Sequence, residues 1–254
     1  MTGINERQSK IIERLNKKGF VKVSELCEKL DVSTVTIRKD LSFLEEKGLL
    51  HRTHGGASKQ SLYAFERNVG EKEGIQVEEK RKIAQQALRY IQDGDHLILS
   101  SGTTVLYLSR MLSTLKKLTV LTSSLSVATE LSEQPTVDVI QLGGSVRKSS
   151  NSVVGPLAEK TLQDFSCNTL FLGVDGIDPE FGLTTTNIDE AQLNKAMIKS
   201  AEKVIVLTDS SKIGKRSFGK IAGLDQVDVL ITDKDLAADS KVALEDAGVE
   251  VCVV

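Results

Sequence analysis

Seven short β-rich runs, at residues 96–99, 118–122, 137–142, 169–174, 204–208, 227–232 and 249–254, are separated by stretches of helical pattern. Strands alternating with helices in this way predict crossover connections and a largely parallel sheet, so the chain from residue 77 onward reads as one α/β domain. Five of the runs lead directly into small, polar or glycine-rich loops: Ser100-Ser101-Gly102-Thr103-Thr104, Ser123-Ser124, Gly143-Gly144-Ser145, Asp175-Gly176 and Asp209-Ser210-Ser211-Lys212. A parallel sheet gathers its strand C-termini on one edge, which is where α/β proteins bind ligands. One such loop is an ordinary turn or helix cap, but five on one edge point to a shared pocket. The Ser-Gly-Thr-Thr loop is expected to open a helix over 105–115 and to offer N–H groups and hydroxyls to a phosphate. Arg147, Lys195 or Lys212 would add positive charge, and Asn187 is spaced from Glu190 as in a capping box.

The first 57 residues follow a different pattern. Ile4, Ile11, Ile12 and Leu15 recur at helical spacing, predicting a helix over 5–18 that Gly19 ends. Phe20 to Val23 is a short extended link, and Ser24 is the expected N-cap of a second helix that turns Leu26 and Leu30 inward. Asp31-Val32-Ser33 makes a tight turn, with Ser33 capping a third helix. In that helix Ile37, Leu41 and Leu44 fall within one narrow arc and face the core. The opposite arc carries Val35, Lys39 and Ser42, flanked by Thr36 and Arg38. These side chains suit base edges and phosphates: Arg and Lys as donors, Thr and Ser for either, Val for a thymine methyl. After Gly48, the segment Leu49 to Thr53 with the tip His54-Gly55-Gly56 suits a wing, and Arg52 is placed to reach a phosphate or the minor groove. Two helices, a tight turn and a basic hairpin outline a winged helix-turn-helix, whose partner is an operator in double-stranded DNA. The candidate contacts are Ser33, Val35, Thr36, Arg38, Lys39, Ser42, Arg52, His54 and Gly55. His51 and His54 have no third ligand nearby in sequence, so no metal is expected.

Charge divides the chain in the same place. Residues 1–60 hold 12 basic and 8 acidic side chains, whereas the chain as a whole holds 33 and 35. A small basic head on a larger acidic body suits a head that binds DNA and a body that does not. The expected organisation is a head at 1–57, a linker at 58–76 and a sensing α/β domain at 77–254. No apolar run approaches the roughly 18–20 residues that span a bilayer, and no signal peptide is evident. The three cysteines, Cys27, Cys167 and Cys252, are too dispersed for a disulfide framework. A cytoplasmic protein without a cofactor or membrane association is expected. Because a single helix-turn-helix buries little surface, a homo-oligomer, dimer or tetramer, is expected as well.

The head resembles the DeoR family of bacterial transcriptional regulators, in Glu25-Leu26, Val32-Ser33, Thr36-Ile37-Arg38-Lys39-Asp40-Leu41, Leu44, Gly48, Leu50, Arg52 and His54-Gly55-Gly56-Ala57. Lys39 stands where the family usually has a second arginine, keeping the charge but not the bidentate geometry. The body resembles the same family's sensor domain in GTT, LGG, FLGVDGID, GLTTTN, EA with Asn194, and DSSK. That resemblance implies a fold similar to ribose-5-phosphate isomerase and glucosamine-6-phosphate deaminase, and a phosphorylated sugar as effector. It implies phosphate contacts at Ser101, Gly102, Thr103 and Thr104, with Ser123 and Ser124 beside them, Asp175 and Gly176 in the loop that carries isomerase carboxylates, and Lys212 near the phosphate. Gly144, Arg147 and Lys195 complete the expected effector set. Ser100 departs from the aspartate common before the GTT loop. The GLTTTNIDEAQLN run looks most like regulators of amino-sugar catabolism. The alternative is a sugar-phosphate isomerase or deaminase carrying a DNA-binding head, with Asp175, Glu190 and Lys195 as acid–base groups. Ile177 before Asp178 and the lack of any body histidine beyond His96 speak against it.

Overall fold

The computed structural model describes residues 4–18, 20–47, 49–53, 55–58, 69–112 and 117–254. The expectations placed on Gly19, Gly48, His54, the stretch 59–68 and the end of the helix at 113–115 lie outside these residues, as do the side chains of His51 and Arg52. The chain divides into two units, Met1–Tyr63 and Ala64–Val254.

The first unit holds helices α1 (Glu6–Lys18), α2 (Val23–Leu30) and α3 (Thr34–Glu46) and strands β1 (Phe20–Lys22), β2 (His51–Thr53) and β3 (Gly56–Ser58). The strands form an antiparallel sheet in the order β1-β3-β2. Ile11, Leu15, Leu26, Ile37, Leu41, Leu44 and Leu50 are fully buried at its centre, each such side chain contributing roughly 1.5–3 kcal/mol of burial. Ser24 is not the cap of α2. The helix begins two residues earlier, at Val23 with Lys22 at the cap, where the Val23 N–H is already satisfied by the Gly55 carbonyl of the wing at 2.8 Å. Asp31 closes α2 in the left-handed conformation (φ 48°), which produces the tight turn. Gly56 has to be glycine, since a Cβ there would run into the Val21 carbonyl of β1.

The second unit is built on seven parallel strands: β4 (His96–Leu99), β5 (Leu118–Thr122), β6 (Val137–Gln141), β9 (Cys167–Leu172), β12 (Ala201–Leu207), β14 (Val229–Thr232) and β15 (Glu250–Val253). Their order is β15-β14-β12-β9-β4-β5-β6, and every expected run is one of them. Side chains alternate between two buried layers. Leu97, Leu99, Phe171, Ile205 and Ile231 face α5 (Val77–Ala87), α6 (Thr103–Ser109) and α7 (Leu125–Ser132). Ile98, Leu170, Val204, Val206 and Leu230 face α8 (Pro156–Leu162), α9 (Ile188–Lys199) and α10 (Ala238–Asp246). Burial on both faces is why these runs read as continuous apolar stretches.

Four differences from expectation bear on the site. Residues 69–73 are not linker but a short helix, α4 (Val69–Glu73), held to the body by a Val69 N–H to Ser149 carbonyl bond of 2.8 Å and by the Lys72–Asp175 and Glu73–Arg110 ion pairs. α6 starts at Thr103 rather than 105, because Gly102 (φ 135°) turns the chain into it directly. A second sheet of β10 (Gly176–Asp178), β11 (Gly182–Thr185) and β13 (Gly219–Ala222) packs beside α9. A hairpin of β7 (Ser145–Arg147) and β8 (Ser152–Val154) follows β6.

Candidate DNA-reading helix and effector site

In the head, α3 is capped as expected, with the Ser33 hydroxyl accepting from the Thr36 N–H at 3.3 Å. Its inner face is fully buried, while Arg38 and Lys39 are exposed and Val35 is 60% exposed. Thr36 and Ser42 are half-buried: the Thr36 hydroxyl lies 3.0 Å from that of Ser33, and the Ser42 hydroxyl donates to the Arg38 carbonyl at 2.9 Å. Gly55 is exposed at the wing, and Arg52 pairs by backbone with Ala57. Asp40 has a structural role that helical periodicity does not mark. Buried on α3, it accepts from Arg7 Nε at 2.5 Å, Arg7 Nη2 at 3.2 Å and Gln8 Nε2 at 2.9 Å, which ties the helix to α1.

In the body, the strand order reverses between β4 and β9: from β4 the chain proceeds through β5 and β6, then crosses back to β9 on the other side of β4. Open α/β sheets take ligands in the crevice outside the strand C-termini at such a reversal. Ser100 pins the loops after β4 and β9 together. Fully buried, it donates to the Ser101 carbonyl at 3.1 Å and accepts from the Gly173 N–H at 2.9 Å. A Cβ on Gly173 would come within 2.8 Å of the Ser101 carbonyl oxygen, so this approach requires glycine.

Around the crevice runs a chain of polar contacts. The Ser101 hydroxyl donates to Glu190 Oε1 at 2.8 Å, and Glu190 Oε2 accepts from Arg147 Nη1 at 3.1 Å. The Thr185 hydroxyl stands 3.0 Å from both Glu190 Oε2 and Asp175 Oδ2, so it donates to one carboxylate at a time. Asp175 Oδ2 also accepts from the Thr186 N–H at 3.3 Å, and Oδ1 pairs with Lys72 Nζ at 2.7 Å. Burial pushes the Asp175 carboxyl up, but the Lys72 and Lys212 ammoniums and the Thr185 hydroxyl outweigh it and hold the group below its ordinary value. Lys80 is nearly fully buried and donates to the Lys72 and Ile75 carbonyls; burial holds its ammonium below the ordinary value, with Asp209 opposing only in part.

The expected effector residues sort accordingly. Ser101, Arg147 and Asp175 belong to the network, and Lys212 is close enough to act on Asp175 electrostatically. Thr103, Thr104 and Ser123 are buried, and among the described residues their hydroxyls have no hydrogen-bond partner. Gly102 sets the turn into α6. The Ser124 hydroxyl is committed as the N-cap of α7, accepting from the Val127 N–H at 3.2 Å. Gly144 opens the β7–β8 hairpin, where a Cβ would approach the Val154 carbonyl oxygen at 2.7 Å, and Gly176 packs against the Lys215 carbonyl. Both are conformational positions. Lys195 is not brought in. It lies five positions along α9 from Glu190, about 140° around the helix, and makes none of these contacts. The capping box is also only half formed. The Asn187 side chain accepts from the Glu190 N–H at 3.0 Å, but the Glu190 carboxylate turns to Ser101, Thr185 and Arg147 instead. A shallow concavity beside Arg81, Gln85, Arg89 and Val254 lies on α5, and no network residue lines it.

A winged helix-turn-helix unit joined to an α/β unit with a polar crevice at its strand-order reversal defines the class: a DNA-binding regulator with a sensing body. Residues 7–61 match the DeoR-like helix-turn-helix domain and residues 75–234 the DeoR C terminal sensor domain. The chain belongs to the DeoR family of transcription regulators. It is 41% identical to a putative aga operon transcriptional repressor of Escherichia coli O157:H7, over 100% of this chain and 95% of that one. It is 34% identical to a lactose phosphotransferase system repressor of Staphylococcus epidermidis, over 93% of this chain and 95% of that one. These relatives are regulators and not enzymes, which removes the isomerase alternative. Among solved structures, a D-ribose-5-phosphate isomerase in complex with phospho-erythronic acid is similar over 54% of each chain, at 20% identity and a TM-score of 0.41. No helix among the described residues is long and apolar enough to cross a membrane.

Proposed function

We propose that this regulator represses a sugar or amino-sugar catabolic operon and that a phosphorylated sugar, bound in the crevice between the β4 and β9 loops, releases it from its operator. The observation that carries this reading is the pairing of two kinds of group at one sheet edge. The Asp175 and Glu190 carboxylates suit a polyol, and the Thr103, Thr104 and Ser123 hydroxyls, without a hydrogen-bond partner among the described residues, suit a phosphate together with Arg147 and Lys212. The names of the relatives support a sugar operon, and the GLTTTNIDEAQLN run favours an amino sugar. In the head, Val35, Thr36, Arg38, Lys39 and Ser42 form the base-reading face, capped by Ser33, with Arg52, His54 and Gly55 contributing from the wing. The protein works in the cytoplasm as a homo-oligomer, dimer or tetramer, whose heads occupy half-sites about one turn of DNA apart.

The test is a thermal-shift series with pentose, hexose and amino-sugar phosphates, followed by operator binding with and without each. The Thr103→Ala, Lys212→Ala double variant should bind operator as the wild type does but lose both the shift and the release. Release that survives in the double variant puts the effector elsewhere.

A further inference from the structure

The effector residues just named all lie at the sheet edge or on the hairpin and α9 beside it, whereas the ammonium paired with Asp175 comes from the segment leading back to the head. Lys72 is carried by α4, which starts at Val69; only residues 59–68 separate it in sequence from β3 of the wing. Its Nζ takes Oδ1 of Asp175 at 2.7 Å, a pair with side-chain exposures of 26% and 14% that is shielded from solvent. The other Asp175 oxygen is already engaged by Thr185 and Thr186, so Oδ1 is the position that a new hydrogen bond from a ligand would have to take. Lys72 is fixed from its backbone as well, since the buried Lys80 ammonium donates to its carbonyl. Glu73 pairs with Arg110 at 2.9 Å.

We propose that the Lys72–Asp175 pair is the reporter by which the head senses the crevice: it holds α4 in the DNA-binding-competent arrangement, and an effector breaks it. A sugar hydroxyl or amine donating to Oδ1 displaces the ammonium, and the phosphate offers that ammonium a second anion away from Asp175. Either event removes the side-chain contact that ties α4 to the crevice, leaving the Val69 and Glu73 anchors and the Lys80 bond to the Lys72 carbonyl. The ligand therefore differs in its interaction with the two states at the point where the chain leaves for the head, as coupling requires. The inference rests on the crevice being the effector site, but removing Lys72 tests it without any ligand.

The experiment uses the full chain, operator DNA selected by the wild-type protein from a random library, and hydrogen exchange at residues 69–73. Without sugar, Lys72→Met should weaken operator binding by roughly tenfold or more and raise exchange in α4. Lys72→Arg, which keeps the cation, should behave as the wild type in both. Asp175→Asn breaks the pair from the other side and should reproduce Lys72→Met. The melting temperature of the body checks that each variant is folded. Operator affinity within about twofold of wild type in Lys72→Met, or weakened binding with unchanged α4 exchange, overturns the proposal. Thermal shifts of the wild type with galactosamine 6-phosphate and ribose 5-phosphate are read separately. Their absence speaks against the sugar-phosphate reading, while Lys72→Met still decides the role of the pair.

Discussion

The recognition helix and the effector crevice are both built from a few polar side chains on a packed scaffold, yet they solve opposite problems. On α3 the candidate contacts Val35, Arg38 and Lys39 point into solvent. Only the inner face of that helix is committed, through Ile37, Leu41, Leu44 and the Asp40 clamp. In the crevice nearly every charged group is already held by another: Glu190 by Ser101 and Arg147, Asp175 by Lys72 and Thr186. An exposed face waits for a partner that brings its own counter-charges. A buried one has to satisfy itself until the ligand arrives, since an unpaired charge there would cost several kcal/mol. Ligand entry is consequently an exchange of partners, and exchange is what allows a binding event to move something else.

That difference also decided what the sequence could disclose. The face of α3 follows from a period of 3.6 within thirteen residues, and the seven central strands follow from apolar runs that carry their own signal. β10, β11 and β13 carry no strand signal of their own because each is only three or four residues long and starts on a glycine, and their burial is conferred by α9 and the Lys215 segment. The loops holding Ser101 and Asp175 were legible as loops, but their partners lie far off: Glu190 is 89 residues from Ser101, and Lys72 is 103 from Asp175. Helical geometry alone would have separated Lys195 from Glu190. Nothing local marks α4, whose five residues, VGEKE, have no apolar stripe.

The largest effect expected from breaking the head's side of the comparison comes from Asp40→Ala. Three bonds from Arg7 and Gln8 converge on this buried carboxylate. Its loss should cost about 2–3 kcal/mol, moderated because Arg7 is partly exposed and regains water. Urea unfolding followed by probes in each unit should show the head transition moving and the body transition fixed. A shift in both transitions would contradict the independence of the two cores.

Arg38→Ala comes next and leaves the scaffold untouched. Operator affinity should fall by roughly 1–3 kcal/mol with relaxed base preference, while melting of the head stays as it was. Salt-controlled binding to operators altered one base pair at a time reads both quantities. A uniform loss across all of them would assign Arg38 to phosphate rather than to a base.

The smallest expected effect gives the sharpest contrast, because the same cap stands in both regions. Ser33 accepts from the Thr36 N–H at the start of α3, and Asn187 accepts from the Glu190 N–H at the start of α9. Replacing either by alanine should cost about 1 kcal/mol of stability. The functional consequences should differ, because α3 presents its side chains outward whereas α9 delivers the Glu190 carboxylate into the network of Ser101, Thr185 and Arg147. Ser33→Ala should weaken operator binding and leave the thermal shift with sugar phosphate unchanged. Asn187→Ala should do the reverse, raising the sugar-phosphate concentration needed for release with operator affinity intact. If Asn187→Ala releases at the wild-type concentration, Glu190 is positioned by its tertiary partners alone and the cap serves only the helix.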